Sequence, residues 1–183
     1  MNKIVAIVGM CGSGKSIASE YYEKLGFKKV YFGELTFEKL EEAGMQVNEE
    51  NEKYMREQLR KDYGMGVYAI FSLLKIEQYI KHNNVIVDGL YSWDELKILK
   101  EKFNDNLVVL AIISDKKQRY DRLVNRSIRS LTNEKAVKRD IYEIENLDKG
   151  GPIAFADYYV LNDLDMNKYY MSLNKVMEEI LNS

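Results

Sequence analysis

Lys3-Ile4-Val5-Ala6-Ile7-Val8-Gly9-Met10-Cys11-Gly12-Ser13-Gly14-Lys15-Ser16-Ile17-Ala18-Ser19 is the stretch from which the rest of the chain can be read. Ile4 to Val8 is an apolar run, too short to span a membrane and suited to a strand buried on both faces. Gly9 to Ser16 satisfies G-x-x-x-x-G-K-[ST] at every fixed position. Ile17, Ala18, Tyr21, Tyr22 and Leu25 then recur at helical spacing. Strand, glycine loop and helix N-terminus thus follow in the order that phosphate binding requires.

The chemistry follows from the residue types. Glycines let the backbone turn tightly and approach a ligand without a Cβ in the way. Successive N–H groups, here those of Gly9, Gly12, Ser13, Gly14, Lys15, Ser16 and Ile17, then face a polyphosphate, and the helix dipole adds partial positive charge. Lys15 is expected on the β- and γ-phosphates, and the Ser16 hydroxyl on Mg²⁺. The motif therefore predicts binding of a nucleoside triphosphate, with ATP and Mg²⁺ as the ligands.

The chain has 183 residues, enough for one substantial core, and a single domain is expected. Its 46% apolar and 31% charged content is that of a globular protein. A net charge of −2 argues against a nucleic-acid-binding surface, though not against a local basic cleft. No segment approaches the ~18 apolar residues of a membrane helix, and no leader segment or membrane partner is expected. The single cysteine, Cys11, rules out an internal disulfide and fits the cytoplasm. Cys11 reads as a small loop residue rather than a redox control, and His82, the only histidine, as a solvated loop residue.

Further along, Lys29 to Phe32 reads as a second strand and Leu35 to Ala43 as a helix stopped by Gly44. Asn48 to Asp62 and Val67 to Ile80 read as two helices hinged at Tyr63-Gly64-Met65-Gly66. Val85 to Asp88 is a buried strand ending on a carboxylate, and Ser92 is a candidate cap for a helix from Trp93 to Phe103. Leu107 to Ile113 is the longest strand candidate. A basic helix from Lys116 to Arg129, a charged helix from Glu134 to Leu147, a Gly150-Gly151-Pro152 break, a strand at Tyr158 to Leu161 and a helix from Asp165 to Leu181 complete the chain. Strands alternating with helices predict an α/β, three-layer fold with a five-stranded parallel sheet. The two helical insertions, 34–82 and 116–150, fall beyond the carboxyl ends of strands, where open α/β sheets bind ligands.

Asp88 ends a core strand, where a carboxylate can hold Mg²⁺; an Asp-Gly turn is the plainer reading. Arg119, Arg122, Arg126 and Arg129 recur at three- and four-residue spacing, and Arg139 follows after a bend. Such cations suit a phosphoryl group in transfer, and equally a solvated face paired with Asp121 and Glu134. Glu34 either orients an acceptor hydroxyl or begins a helix, where acidic residues are favoured.

Gly9 to Ser16, Asp88-Gly89, the arginine-rich helix and Ala156-Asp157-Tyr158-Tyr159-Val160-Leu161-Asn162 resemble the P-loop nucleoside-monophosphate-kinase superfamily. The last of these is similar to the A-D-x-x-x-x-N ending of dephospho-CoA kinases. Leu59-Arg60-Lys61-Asp62-Tyr63-Gly64-Met65-Gly66-Val67 resembles an uncharacterised archaeal kinase family related to dephospho-CoA and adenylate kinases, and this similarity covers nearly the whole chain. The resemblance implies a core (1–33, 83–115, 151–183), an acceptor-binding insertion at about 34–82 and a lid at about 116–150. It places Lys15 and Ser16 on ATP and Mg²⁺, Asp88 at the metal or acceptor, Arg122 and Arg126 near the transferring phosphate, and Asn162 near the adenine.

Departures concentrate on the acceptor side. Asp88-Gly89 is followed by Leu90-Tyr91-Ser92 rather than by an aromatic, proline and arginine. The acceptor-side arginine expected soon after the second strand is absent, with Phe37 and Lys39 nearby, and Glu34 stands where dephospho-CoA kinases carry aspartate. Arg60 is accordingly the expected cation for the acceptor's anionic group, with Gly89 and Glu34 beside it, or else a surface arginine pairing with Glu57 or Asp62. The function expected is phosphotransfer from Mg-ATP to a small nucleotide-like acceptor, by a monomer or weak homo-oligomer. The alternative is a non-kinase ATPase or a nucleotide switch. A GTPase lacks support, because no Asn-Lys-x-Asp occurs, and an AAA-type motor needs more chain for its extra helical domain.

Overall fold

A computed structural model describes residues 1–127, 130–163 and 165–183. Among them five strands, β1 (Ile4–Val8), β2 (Lys28–Tyr31), β3 (Val85–Asp88), β4 (Leu107–Ile113) and β5 (Tyr158–Leu161), form one sheet in the order β2-β3-β1-β4-β5. Every pairing is parallel, with Ile7 of β1 opposite Asp88 of β3 and Leu110 of β4. β1 lies in the middle, and each of its residues is buried.

Strand alternation sends successive side chains to opposite faces and makes the fold three-layered. Ile4, Ala6 and Val8 join Val85, Val87, Val109 and Ala111 on one face. There they meet α4 (Val67–Ile80) and α5 (Trp93–Phe103) through Ile76, Leu96 and Leu99. Val5, Ile7, Ile86, Leu110 and Ile112 face the other way, onto α1 (Lys15–Lys24) and α9 (Met166–Asn182) through Ala18, Tyr22, Tyr169 and Leu173. Each such aliphatic side chain stabilises the fold by about 1.5–3 kcal/mol on burial.

Between β2 and β3 lie α2 (Glu34–Glu42), α3 (Glu49–Tyr63) and α4. Asn48 caps α3 by accepting from the Asn51 N–H, and Gly64 ends it with φ 85°. Ser92 and Glu95 close a capping box on α5. Between β4 and β5 lie α6 (Lys116–Asn125), α7 (Asn133–Leu147) and α8 (Gly150–Ala154).

Two expectations need correction here. The basic helix stops at Asn125, and Arg126 is already extended, with φ −70° and ψ 143°. Arg119 and Arg122 therefore share a helix while Arg126 lies beyond its end; Arg129 falls outside the described residues. The Gly-Gly-Pro segment is not a break but the start of α8, where Pro152 sits in the first turn and its missing N–H costs nothing. A single 3-10 turn at Asn104–Asn106 was also not anticipated. Elsewhere the elements match within a residue or two.

The candidate active site

The carboxyl ends of the strands open onto one rim, and the glycine loop bridges β1 and α1 there. Two glycines show why the loop needs them. Gly9 has φ 143° and a Cβ on it would stand 2.4 Å from the Ile112 carbonyl oxygen; Gly14 has φ 104° and its Cβ would stand 2.2 Å from Asn162 Nδ2. The Ser13 N–H donates to the Met10 carbonyl, closing the turn at 3.2 Å. Lys15 Nζ donates to the same carbonyl at 3.0 Å. Burial, and next the nearby Lys149 ammonium, bring the Lys15 pKa down to about 7, against the pull of Cys11, Glu143 and Asp88. A desolvated ammonium bonded, among the described residues, to a single carbonyl in a glycine cradle fits the terminal phosphates of a nucleotide.

Side chains from both later segments brace this loop. Arg119 Nη1 donates to the Cys11 carbonyl at 2.9 Å, and both its terminal nitrogens reach the buried Asp140 carboxylate on α7 at 3.1 and 2.7 Å. Arg122 donates to the Gly12 carbonyl, Ser114 Oγ, Gln118 Oε1 and the Asn162 carbonyl at 3.4, 3.0, 3.2 and 2.6 Å. Asn162 Nδ2 donates to the Ser13 carbonyl at 2.8 Å, and the Tyr169 hydroxyl to that of Gly14 at 3.1 Å. Arg122 and Asn162 thus hold the loop against the ends of β4 and β5. Arg126 differs: its Nε is buried without a hydrogen-bond partner.

Asp88 sits at the rim, 8% exposed, with Oδ2 3.9 Å from Lys29 Nζ. Ser16, in the first turn of α1, is exposed. These are the groups that could hold Mg²⁺. No cluster of three or more His, Cys, Asp or Glu capable of binding a metal occurs among the described residues. Mg²⁺ does not need one, since phosphates and water supply most of its ligands.

Beside the loop lies a cavity of about 560 Å³, bounded by the β2–α2 turn, α3, Gly89 and the inner side of α7. Gly89, with φ 95°, takes a left-handed turn directly after Asp88. Tyr31, Phe32, Phe37, Tyr68, Tyr91 and Tyr142 supply aromatic surface. Lys53, Arg56, Arg60, Lys135, Lys138 and Arg139 supply positive charge. Arg60 lies with its guanidinium carbon 5.2 Å from the Tyr68 ring centroid, and its Nε is buried without a hydrogen-bond partner. Arg60 pairs with neither Glu57 nor Asp62 in any described ion pair. Glu34, by contrast, is exposed at the first turn of α2, where its carboxylate suits the helix dipole. It pairs with Lys75 and lines a second depression, with Glu23 and Lys29, that shares Tyr31 and Phe37 with the cavity.

One cluster was missed in the sequence. Glu143 of α7 accepts from Lys149 Nζ at 2.6 Å and from Arg139 Nε at 3.1 Å, with all but a few per cent of its surface buried. The opposing cations hold its carboxyl below the usual range despite burial. Lys149 Nζ also lies 4.3 Å from the Tyr91 ring centroid. The i, i+4 spacing of Arg139 and Glu143 was legible; that Lys149 turns inward was not, because it depends on the left-handed Asp148 (φ 50°, ψ 36°) that ends α7.

A glycine-cradled phosphate loop at the rim of a five-stranded parallel sheet, roofed by helices, defines a nucleotide-binding P-loop protein of kinase-like fold. The fold is similar to that of shikimate kinase from Bacteroides thetaiotaomicron, with a TM-score of 0.59, 14% identity, and 97% of this chain and 98% of that one covered. The chain belongs to the AAA_18 family, described as an AAA domain and matched over residues 5–142, and to the UPF0200 family of its relatives. A UPF0200 protein of Pyrococcus abyssi is 33% identical, with 97% of each chain covered. Another, of Thermococcus kodakarensis, is 31% identical, with 97% of this chain and 98% of its own covered. No helix of the described residues is long and apolar enough to cross a membrane.

Proposed function

We propose that the protein transfers the γ-phosphoryl group of Mg-ATP to a small, anionic, ring-bearing acceptor of nucleotide type. The observation that carries this reading is the cavity itself, which meets the rim at Gly89 and joins six basic side chains, in excess over four carboxylates, to six aromatic ones. A purely hydrolytic or switching protein has no use for such a chamber beside its phosphate loop.

In this reading the loop N–H groups and Lys15 bind the phosphates, and Ser16 and Asp88 hold Mg²⁺, which neutralises developing charge when bound. Asp88 also faces the acceptor hydroxyl across Gly89. Arg60 binds the acceptor's anionic group, and the tyrosines stack on its ring. Arg126, with an unpaired Nε, is the cation offered to the transferring phosphoryl group, while Arg122 and Asn162 keep the loop in register. The helices from 116 to 150 act as a lid that excludes water. Glu34 retains a role only if α2 rotates to bring it to the cavity.

The test is a phosphate-acceptor screen with Mg-ATP, covering nucleoside monophosphates, deoxynucleotides and dephospho-CoA. Acceptor-dependent ADP release supports the reading. ADP release at one rate with every acceptor and with none would assign an ATPase or a nucleotide switch instead.

A further inference from the structure

Around the phosphate loop the charges do not balance pairwise. Two cations, Arg139 and Lys149, bond the carboxylate of Glu143, and Lys15 feels that carboxylate together with Asp88. Lys149 lies close enough to the Lys15 ammonium to repel it, and Glu143 close enough to attract it. Lys149 is 1% exposed, so its charge is fully desolvated. A buried lysine is costly unless held by an anion, and Glu143 serves two cations at once. The backbone is also committed to this arrangement: Lys149 N–H donates to the Glu143 carbonyl at 3.2 Å, across the left-handed Asp148.

A simple structural ion pair has no need to sit on the wall of a cavity and within electrostatic reach of the phosphate-loop lysine, as this one does. Glu143, Arg139 and Tyr91 line the cavity, and Lys149 stands over the Tyr91 ring, just past the Asp88-Gly89 rim. Glu143 therefore holds an anion between two cations on the cavity wall, one helical turn from Asp140, which Arg119 ties to the loop.

We propose that Lys149 is a second lysine of the phosphate site and that Glu143 is its built-in counterion, displaced when the terminal phosphate of a nucleoside triphosphate arrives. The phosphate brings more charge than the carboxylate and contacts Lys15 and Lys149 together. Glu143 is then left to Arg139 alone. ADP lacks the terminal phosphate and leaves the Lys149–Glu143 pair closed. The inference rests on the nucleotide-binding reading above and adds a means of distinguishing triphosphate from diphosphate.

The experiment is equilibrium titration of the full chain with ATP and with ADP, with Mg²⁺, followed by nucleotide fluorescence or calorimetry. In Lys149→Met the aliphatic stem is kept and Glu143 retains Arg139. The ATP dissociation constant should rise roughly ten- to a hundredfold and that of ADP should stay within about twofold. An unchanged ATP-to-ADP ratio would overturn the proposal. Glu143→Gln provides a second reading that survives any loss of stability. Its unpaired Lys149 lowers the thermal midpoint, and ATP should restore it by more degrees than it adds to the wild type, while ADP should not. Equal gains from ATP and ADP would make the pair merely structural. Wild-type protein that binds neither nucleotide would overturn the phosphate-loop reading itself, an outcome distinct from both.

Discussion

The phosphate loop and the cavity beside it are made in different ways. The loop is built from backbone: eight consecutive residues, three glycines at positive φ, and N–H groups aimed by the start of a helix. The cavity is built from side chains that meet only after folding, from Tyr31 and Phe37 near β2, Arg56 and Arg60 on α3, Gly89 after β3, and Lys138 and Arg139 on α7. A backbone-made site tolerates almost no substitution at its glycines and specifies little beyond phosphate. A side-chain-made site can change its cations one at a time, and so can change its acceptor while the loop stays as it is.

The largest expected effect tests the loop half of that contrast. Lys15→Ala should lower phosphotransfer by roughly a hundredfold or more, with the thermal midpoint close to wild type, because Lys15 meets phosphate and contributes little to the core. Undiminished turnover would remove the loop from the chemistry. Next, Arg122 on α6 and Arg126 just beyond its end should separate. Arg126→Ala should lower kcat by roughly a hundredfold, whereas Arg122→Ala should act mainly on ATP binding, since its guanidinium already bonds Gly12 and Asn162. Equal kcat losses in both would return Arg122 to the reacting phosphate.

The cavity half is tested by Arg60→Ala, which should raise the acceptor KM roughly ten- to a hundredfold with the ATP KM nearly unchanged. If both constants stay at wild-type values, the acceptor binds elsewhere. The smallest effect lies beneath the cavity wall. Burial raises the Glu95 pKa from its ordinary 4.5 to about 7, against the Ser92 and Tyr91 N–H bonds and Arg60, which favour the carboxylate. The folded state thus holds this proton more tightly than the unfolded one. Stability falls as pH rises from 4.5 to about 7, and the whole penalty is present above that. Glu95→Gln keeps the capping-box acceptor and drops the charge. Its denaturation midpoint should exceed wild type at about pH 8, and the gain should vanish at about pH 4. A gain that is the same at both values would show that the carboxyl is not strained by burial.

The same contrast explains what could be read from the sequence. β1, the loop and α1 followed from local pattern, as did β3 with Asp88, the Ser92 cap and the order of strands and helices, because each is decided by neighbours in sequence. Arg60 was singled out by the absence of arginine from the usual positions, and it lines the cavity. Arg122, Arg126 and Arg129 were grouped by helical spacing, yet the helix ends at Asn125, a boundary that no proline or glycine marks. Glu34 was placed by its nearness to β2; at the first turn of α2 it pairs with Lys75 and lines a depression that shares Tyr31 and Phe37 with the cavity. Lys149 gave no signal at all: its inward turn depends on one left-handed aspartate and on a carboxylate six residues back.

Arg119 ties the loop to its roof. One guanidinium holds the Cys11 carbonyl in the loop and, through two bonds, Asp140 on α7. It behaves as a fulcrum: α7 cannot swing outward unless a desolvated ion pair breaks or Cys11 is dragged with it. Displacement of the loop and displacement of α7 are thereby linked, with the Tyr120 hydroxyl on the same Asp140 carboxylate as a second tie.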